Sequence, residues 1–534
     1  MTPEDLDTLG RDSSWAGVTA VVAGFGVSGY AAADSLQHQG ATVIVVDDAE
    51  TEALREQATV LRTLDVDVHL GPGSSDALPP DVDLVIASPG WPPTAPLLAA
   101  ALERGVPVWS EVELAWRLRG ENPAPWLVVT GTNGKTTTVQ MLESILRAEG
   151  LAAHAVGNVG RPVLEAVMDT DDPAEVLAVE LSSYQLHWTY SMSPEASVVL
   201  NVAPDHLDWH GGFDAYTADK GRAYENTQIA CVYNVDDPAT ESLVEEAEVI
   251  EGCRAVGFTL GVPGLSMLGV VDGMLADRAF VKERISNAAE LGHRDDLGQA
   301  PAPHLVANAL AAAALARAHG VSPRAVREGL RAFTPDAHRI AEVAIIDDVR
   351  YVDDSKATNP HAALASLNSI GTASDGGSPP GADGGSPPGA DGGSPPGADG
   401  GSPPGTDGGS PPDTDGGSPL RAVWIAGGLA KGATFDDLVE QARDRLRAVV
   451  LIGADRAAIA EALARHAPDV PVVEVDSGDT DLMDRIVEVA ASFAQPGDTV
   501  LLAPGCASMD QFVNYAARGD SFVDAVVRRQ TTST

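Results

Sequence analysis

The chain has 534 residues, enough for two to four domains, and its 44% hydrophobic content suffices for packed cores. Its 77 acidic against 34 basic residues leave a formal charge of −43, which argues against a nucleic-acid backbone or an anionic membrane as main partner, since both repel such a surface. Three scattered cysteines, Cys231, Cys253 and Cys506, with no CxxC spacing, argue against a disulfide framework or a structural zinc site and for a reducing compartment.

The N-terminus, MTPEDLDTLGRDSSW, is acidic and lacks an apolar core, and no apolar run approaches 18 residues, so a soluble cytoplasmic protein is expected. The first unit alternates strand and helix signals. TAVVAGFG reads as a buried strand, GYAAADSLQHQG as a helix ending at glycine, ATVIVVDD as a second strand and VDLVIASPG as a later one. That alternation predicts an α/β unit with a parallel sheet wound by helices. Within it, GFGVSG sets Gly24, Gly26 and Gly29 between strand and helix, and Asp47 closes the next strand 23 residues after Gly24. By pattern this is a dinucleotide fingerprint. It suits NAD or a nucleoside diphosphate sugar equally, because either lays a pyrophosphate on the helix N-terminus.

A second unit opens near Pro125 with WLVVTGTNGKTTTVQML. Gly131 and Gly134 let the backbone turn and aim N–H groups at phosphate, Lys135 adds charge, and Thr136 offers a hydroxyl to Mg²⁺. Val129 stands where the strict GxxxxGK[ST] pattern has its first glycine, but strand, loop and helix are in place and ATP binding is expected. Glu180 ends the strand VLAVE, and His206 follows the strand SVVLN within the acid- and histidine-rich NVAPDHLDWH; both sit where metal ligands project. The run VANALAAAALARAHG, interrupted by Asn308 and Arg317, reads as a core helix. A third α/β unit starts around AHRIAEV and resumes with RAVWIAGG, AVVLIGA, VPVVEVD and DTVLLAPGCASMDQF. Between them lies GGSPPGAD, three times from Gly376, followed by variants; it cannot build a core and reads as a disordered insertion loop outside the site.

GTNGKTT, GNVG (157–160), ELSSYQL (180–186), NVAPDHLDWH, DDSKATN (353–359) and APGCASMDQF (503–512) occur in that order. Together they closely resemble the Mur ligases, ATP-dependent amide-forming enzymes of peptidoglycan synthesis. GFGVSG with SPG at 88–90, ELSSYQL and DDSKATN resemble the branch that adds D-glutamate to UDP-N-acetylmuramoyl-L-alanine. The resemblance implies three domains: a Rossmann-like UDP-substrate domain at 1–114, a P-loop-type ATP domain at 115–335, and a Rossmann-like amino-acid domain at 336–534. The last is interrupted by the repeat at 371–419. A hinge is expected near 333–336.

Carried over by motif, the UDP side falls to Val27, Ser28, Asp47, Ser88, Gly90, Asn158 and Gln185. ATP falls to Gly131, Thr132, Asn133, Gly134, Lys135, Thr136, Thr137, Asn308, Arg339 and Asp354. D-glutamate falls to Lys356, Lys431, Ser508, Met509 and Tyr515, and two Mg²⁺ ions to Thr136, Glu180, His206 and Lys220, the last as a CO₂-derived carbamate. Lys135, His206, Lys220 and Lys356 are the implied catalytic set. The partners implied are the two small-molecule substrates and ATP. No nucleic acid, no membrane insertion and a monomer are expected. The resemblance sets aside the NAD reading, which leaves GTNGKTT and the third unit without a role.

Overall fold

The computed structural model describes residues 2–298, 301–334, 337–370, 421–476 and 481–532. The repeat, and Pro335 and Asp336 of the expected hinge, lie outside the described residues. Three sheets follow one another along the chain.

The first contains β1 (Thr19–Ala23), β2 (Thr42–Asp47), β3 (Asp67–Leu70), β4 (Leu84–Ala87) and β5 (Val108–Ser110), in the order β3-β2-β1-β4-β5 and parallel throughout. The chain leaves β1 on one side and returns on the other. Its GFG turn therefore opens at a switch point between the ends of β2 and β4, where ligand crevices form.

The second sheet contains β6 (Trp126–Thr130), β7 (Ala153–Gly157), β8 (Val176–Glu180), β9 (Ala196–Val199), β10 (Ala230–Asn234), β11 (Arg254–Phe258), β12 (Met267–Val271), β13 (Met274–Asp277) and β14 (Ala289–His293). Its order is β14-β13-β12-β11-β10-β9-β6-β8-β7, parallel from β7 to β12, with the last two strands antiparallel. β6, β8 and β9 are buried at every position, as a parallel sheet covered on both faces requires. β6 lies between β8 and β9, so its loop, Glu180 and the chain after Val199 emerge side by side.

Helix Lys135–Ala148 packs on helix Pro323–Ala332, where a Cβ on Gly329 would come within 2.4 Å of the Ile145 backbone. Ser144 Oγ also donates to the Gly329 carbonyl at 2.7 Å. Helix Pro303–Ala318 is the expected core helix, with Leu310 and Leu315 fully buried. Each buried leucine of this kind contributes roughly 1.5–3 kcal/mol to holding the loop's scaffold rigid.

The third sheet contains β15 (Ala341–Ile346), β16 (Val349–Asp353), β17 (Ala422–Gly427), β18 (Leu446–Ile452), β19 (Val472–Glu474) and β20 (Thr499–Leu502). Their order is β15-β16-β20-β17-β18-β19, antiparallel only at β15/β16. The central trio β16, β20 and β17 brings the ends carrying DDSKATN, APGCASM and GGLAK together. Among the described residues no helix is long and apolar enough to cross a membrane.

Candidate active site

A cavity of about 530 Å³ opens where the second and third sheets face each other. Thr132 to Thr136, Glu180, Asp205, His206 and Asn308 line one side; Arg339, Asp354, Lys356, Thr358, Asn359 and Tyr515 line the other. The glycine loop is strung between strand and helix by its own bonds. Gly134 is left-handed at φ 86°, and a Cβ there would meet Asn308 Oδ1 at 2.5 Å. Asn201 grips Asn133 at both ends, its Oδ1 accepting from Asn133 N at 2.8 Å and its Nδ2 donating to Asn133 O at 3.1 Å. Lys135 Nζ folds back to donate to the carbonyls of Gly131 and Thr132, both at 2.9 Å. Loss of water around it lowers its pKa.

The acids and imidazole opposite the loop are held without being used up. Glu180 is 1% exposed; its Oε1 accepts from Asn158 Nδ2 at 3.0 Å, and its Oε2 has no hydrogen-bond partner. A buried carboxylate oxygen without a donor is costly unless a cation supplies the missing charge. His206 adopts φ 52°, which turns the chain into helix Leu207–His210. Its Nε2 lies 3.6 Å from Asp205 Oδ2, and burial lowers its pKa to about 4. At neutral pH it is the uncharged imidazole that ligates metals. The unpartnered Glu180 oxygen, His206 and the Thr136 hydroxyl all line this cavity, and they are the oxygen and nitrogen donor types that a divalent cation beside phosphate takes. Asn308 Nδ2 is likewise buried without a partner.

Lys220 is 2% exposed. Its Nζ donates to the Gly131 carbonyl at 2.8 Å and lies 4.7 Å from the Tyr216 ring centroid. Burial first, and Lys135 second, lower its pKa well below the usual range, which makes the ammonium easier to deprotonate. The three segments that carry Glu180, His206 and Lys220 are tied by one carboxylate. Asp219 Oδ2 bonds His187 Nδ1 at 2.8 Å and His210 Nδ1 at 2.7 Å, and His210 Nε2 bonds Ser183 Oγ at 3.0 Å. Helices Ser183–His187, Leu207–His210 and Phe213–Gly221 are thereby clasped together.

On the third-sheet side, buried Arg518 donates to Ser355 Oγ at 3.0 Å, Ser355 O at 2.8 Å and Cys506 O at 3.1 Å, binding the loops after β16 and β20 to each other. Lys356 Nζ lies 5.4 Å from the Tyr515 ring centroid. Burial raises the Asp354 carboxyl to about 6 despite the Ser366 hydroxyl bonded to it. Asn359 Nδ2 reaches across to Asn133 Oδ1 at 2.9 Å, a direct link from the third sheet to the glycine loop. Lys431 lines a neighbouring cavity of about 390 Å³ that shares Asp205, His206 and His361 with the first.

Several expected residues stand elsewhere. Thr137 is buried in the first helical turn and does not line the cavity. Ser508 is buried, Met509 is exposed, and neither lines either cavity. Gln185 closes a capping box, its Oε1 accepting from Ser182 N at 2.9 Å and Ser182 Oγ at 3.0 Å; the motif match missed this local use of the amide. Of the UDP set only Asn158 lines the cavity. Apart from Gln185, the rest gather at the switch point of the first sheet. Ser88 Oγ donates to Gly24 O at 3.1 Å, and Val27 is 65% exposed at the helix start, next to the half-buried Ser28; Gly90 is exposed. Asp47 braces its own surroundings: its Oδ2 accepts from Phe25 N in the glycine turn at 2.7 Å, and its Oδ1 accepts from Ala49 N in the following loop at 2.8 Å, which leaves each oxygen a further lone pair.

The motif reading also missed residues of the cavity wall. Asn201, Asp205, Thr358 and Asn359 lay within quoted motifs. His304 stands one helical turn before Asn308, a spacing that was open to inspection, and burial lowers its pKa to about 4. His361 carried no sequence signal.

The chain matches the family description "Mur ligase MurD-like, N-terminal domain" over residues 18–110 and "Mur ligase middle domain" over 129–316. It is 56% identical to the UDP-N-acetylmuramoylalanine–D-glutamate ligase of Streptomyces avermitilis, covering 96% of this chain and 99% of that one. It is 49% identical to the same-named ligase of Thermobifida fusca, covering 95% and 97%. Among solved structures it resembles the MurF ligase of Thermotoga maritima in complex with ADP, at TM-score 0.52 and 16% identity over 96% of this chain and 95% of that one. It also resembles UDP-N-acetylmuramate–alanine ligase MurC of Thermotoga maritima, at TM-score 0.51 and 18% identity over 96% and 99%. At those identities the two structures speak for the fold.

Proposed function

The chain belongs to the Mur ligases, and on that premise we propose that it joins D-glutamate to UDP-N-acetylmuramoyl-L-alanine at the expense of ATP, in peptidoglycan precursor synthesis. The domains of this reading are 1–114, 115–335 and 336–534. The observation that carries the chemistry is the cavity itself, with a lysine-bearing glycine loop and an unpartnered buried carboxylate on one wall and cations from another sheet on the opposite wall.

An amide does not form from a carboxylate in water without activation. The γ-phosphoryl group of ATP passes to the L-alanine carboxylate, and the amine of D-glutamate displaces phosphate from the resulting acyl phosphate. Two anions must approach each other in the first step, and their repulsion in a site shielded from water is severe. Lys135 and Arg339 supply fixed positive charge on either side of the transferred group. Thr136, Glu180 and His206 would hold divalent cations, with Lys220 as a carbamate completing the set; such ions neutralise phosphate charge and polarise the phosphoryl oxygens. A neutral amine is the form that adds CO₂, the lowered pKa of Lys220 eases its formation, and the product replaces an awkward cation by an anionic ligand. Lys356, stacked near Tyr515, pairs with a carboxylate of D-glutamate, and Lys431 stands by from the adjoining cavity. Asn308 and Asp354 bind the nucleotide, and the first sheet's glycine turn holds the UDP group. Closure of the third sheet's loops, prefigured by the Asn359–Asn133 bond, keeps water from the acyl phosphate. We further propose that the protein acts as a cytoplasmic monomer.

Phosphate release from ATP and Mg²⁺ with UDP-N-acetylmuramoyl-L-alanine, bicarbonate and each of several amino acids added singly tests the reading. Release dependent on D-glutamate, with product heavier by one glutamyl residue, is expected. Release with L-alanine, diaminopimelate or lysine instead would move the step within the family, and no release with any would overturn it.

A further inference from the structure

Two of the cysteines that stand apart in the sequence meet in the fold. Cys231 is the second residue of β10, and Cys253 immediately precedes β11, the parallel neighbour; their Sγ atoms are 3.8 Å apart. The ladder pairs Cys231 with Ala255, so Cys253 falls diagonally across from it, in a turn where its N–H bonds the Ile250 carbonyl at 3.0 Å. Both thiols are free. The pair is asymmetric: Cys231 is 2% exposed, whereas Cys253 is half-buried and reachable from solvent. The Cys231 S–H stabilises a thiolate on Cys253 and lowers its pKa to about 7, while that same hydrogen bond and then burial hold Cys231 up as a thiol. An accessible thiolate with a second sulfur in van der Waals contact is the arrangement of an attacking and a resolving cysteine.

We propose that Cys231 and Cys253 form a reversible disulfide when a hydroperoxide reaches Cys253. The Cys253 thiolate attacks the peroxide, the O–O bond breaks, and a sulfenic acid and an alkoxide or hydroxide result. Cys231 sulfur then attacks the Cys253 sulfur; the S–S bond forms, the S–O bond breaks, and the departing hydroxide leaves with the Cys231 proton as water. Two thiols lose two electrons and the peroxide gains them. A bond of about 2.05 Å asks the sulfurs to close by less than 2 Å, within reach of side-chain rotation at Cys253, which lies outside the ladder. In a reducing compartment such a pair is transient and responds to oxidant. The link would staple β10 to β11 at their amino-terminal ends. At the opposite end, Asn234 Nδ2 donates to Leu200 O at 3.0 Å and Asp237 accepts from Val202 N at 2.8 Å, bracing the loop that leads to His206. The staple therefore steadies the sheet and leaves the site open.

The test treats the full chain with hydrogen peroxide, alkylates it under denaturing conditions and maps the peptides. A cross-link between Cys231 and Cys253 is expected, with alkylatable thiols falling from three to one and returning to three with dithiothreitol. The melting transition should rise by roughly 2–5 °C on oxidation and fall back on reduction. Cys506→Ser should form the same link, and Cys253→Ser should form none while keeping the turnover of the reduced protein. A stable sulfinic acid on Cys253, a disulfide-linked dimer, or three thiols surviving the oxidant would each overturn the proposal. Because the readout is covalent, it does not depend on the ligase reading.

Discussion

The molecule builds two glycine turns between a parallel strand and a helix, and then equips them differently. In the first, after β1, Asp47 accepts from one amide of the turn and one of the loop after β2, and GFGVSG carries no cation. In the second, after β6, Lys135 and buried Lys220 both lean on the Gly131 carbonyl, and Glu180 keeps one oxygen without a partner. The shared backbone shape offers N–H groups to phosphate in both. Only the second gathers lysines and an unpartnered carboxylate, the equipment that the proposed reaction asks of a turn that moves a phosphoryl group and not of one that only holds a phosphate.

Removing the charge should collapse that difference. Lys135→Ala is expected to lower turnover by roughly 10³-fold or more, with binding of the UDP substrate, followed by calorimetry, unchanged within about threefold. Retained turnover would mean the second turn is not the phosphoryl site. Asp219→Asn loosens the clasp behind the second turn and should cost about 10- to 100-fold in turnover with little change in the KM for ATP. It should also weaken the carbamate resonance of protein equilibrated with ¹³C-bicarbonate, a signal that a merely stabilising residue would leave alone.

The glycines themselves give a reciprocal pair. A Cβ on Gly29 would lie 1.9 Å from the Gly24 carbonyl oxygen. Gly29→Ala should therefore raise the KM for the UDP substrate about tenfold with ATP affinity intact, whereas Gly134→Ala should do the reverse. Equal effects on both ligands would argue that the turns do not work separately.

A smaller effect belongs to the seam between the two regions. Glu111 is 2% exposed, its Oε1 accepts from Leu164 N at 2.6 Å, and burial raises its pKa from 4.5 to about 7. The folded state thus holds a proton that the unfolded chain releases above pH 4.5. The stabilisation is full below that point and fades as pH rises through 7. Wild-type stability should fall between about pH 5 and 7 relative to Glu111→Gln, by up to about 1.4 kcal/mol per pH unit, and level off above that, read from urea unfolding. The smallest effect is expected from deleting Gly376–Ser418, which should leave turnover within roughly threefold; a loss beyond tenfold would bring the repeat into the reaction.

Much of this was open in the sequence, and the reasons are local. A glycine turn needs its glycines, and buried parallel strands need unbroken apolar runs. GTNGKTT and the strands around it could therefore be read without a fold, as could the core role of the helix around Asn308. Residues whose work depends on neighbours were less legible. Gln185, matched to a substrate-binding position, also caps its own helix through Oε1, and Asp47, matched to a sugar-binding acid, also accepts from backbone. His187, His210 and Asp219 lie up to 32 residues apart and give no motif, yet meet on one carboxylate.

By itself, then, the sequence determined the three α/β units, the two glycine turns and the family, because strand burial, turn geometry and motif order are carried by residues close together in the chain. Tertiary structure alone decided which of these groups meet. Lys135, Glu180, His206 and Lys220 come together, and Cys231 and Cys253 form a pair, only when strands far apart in sequence stand side by side and remove the water that would otherwise have satisfied each of them separately.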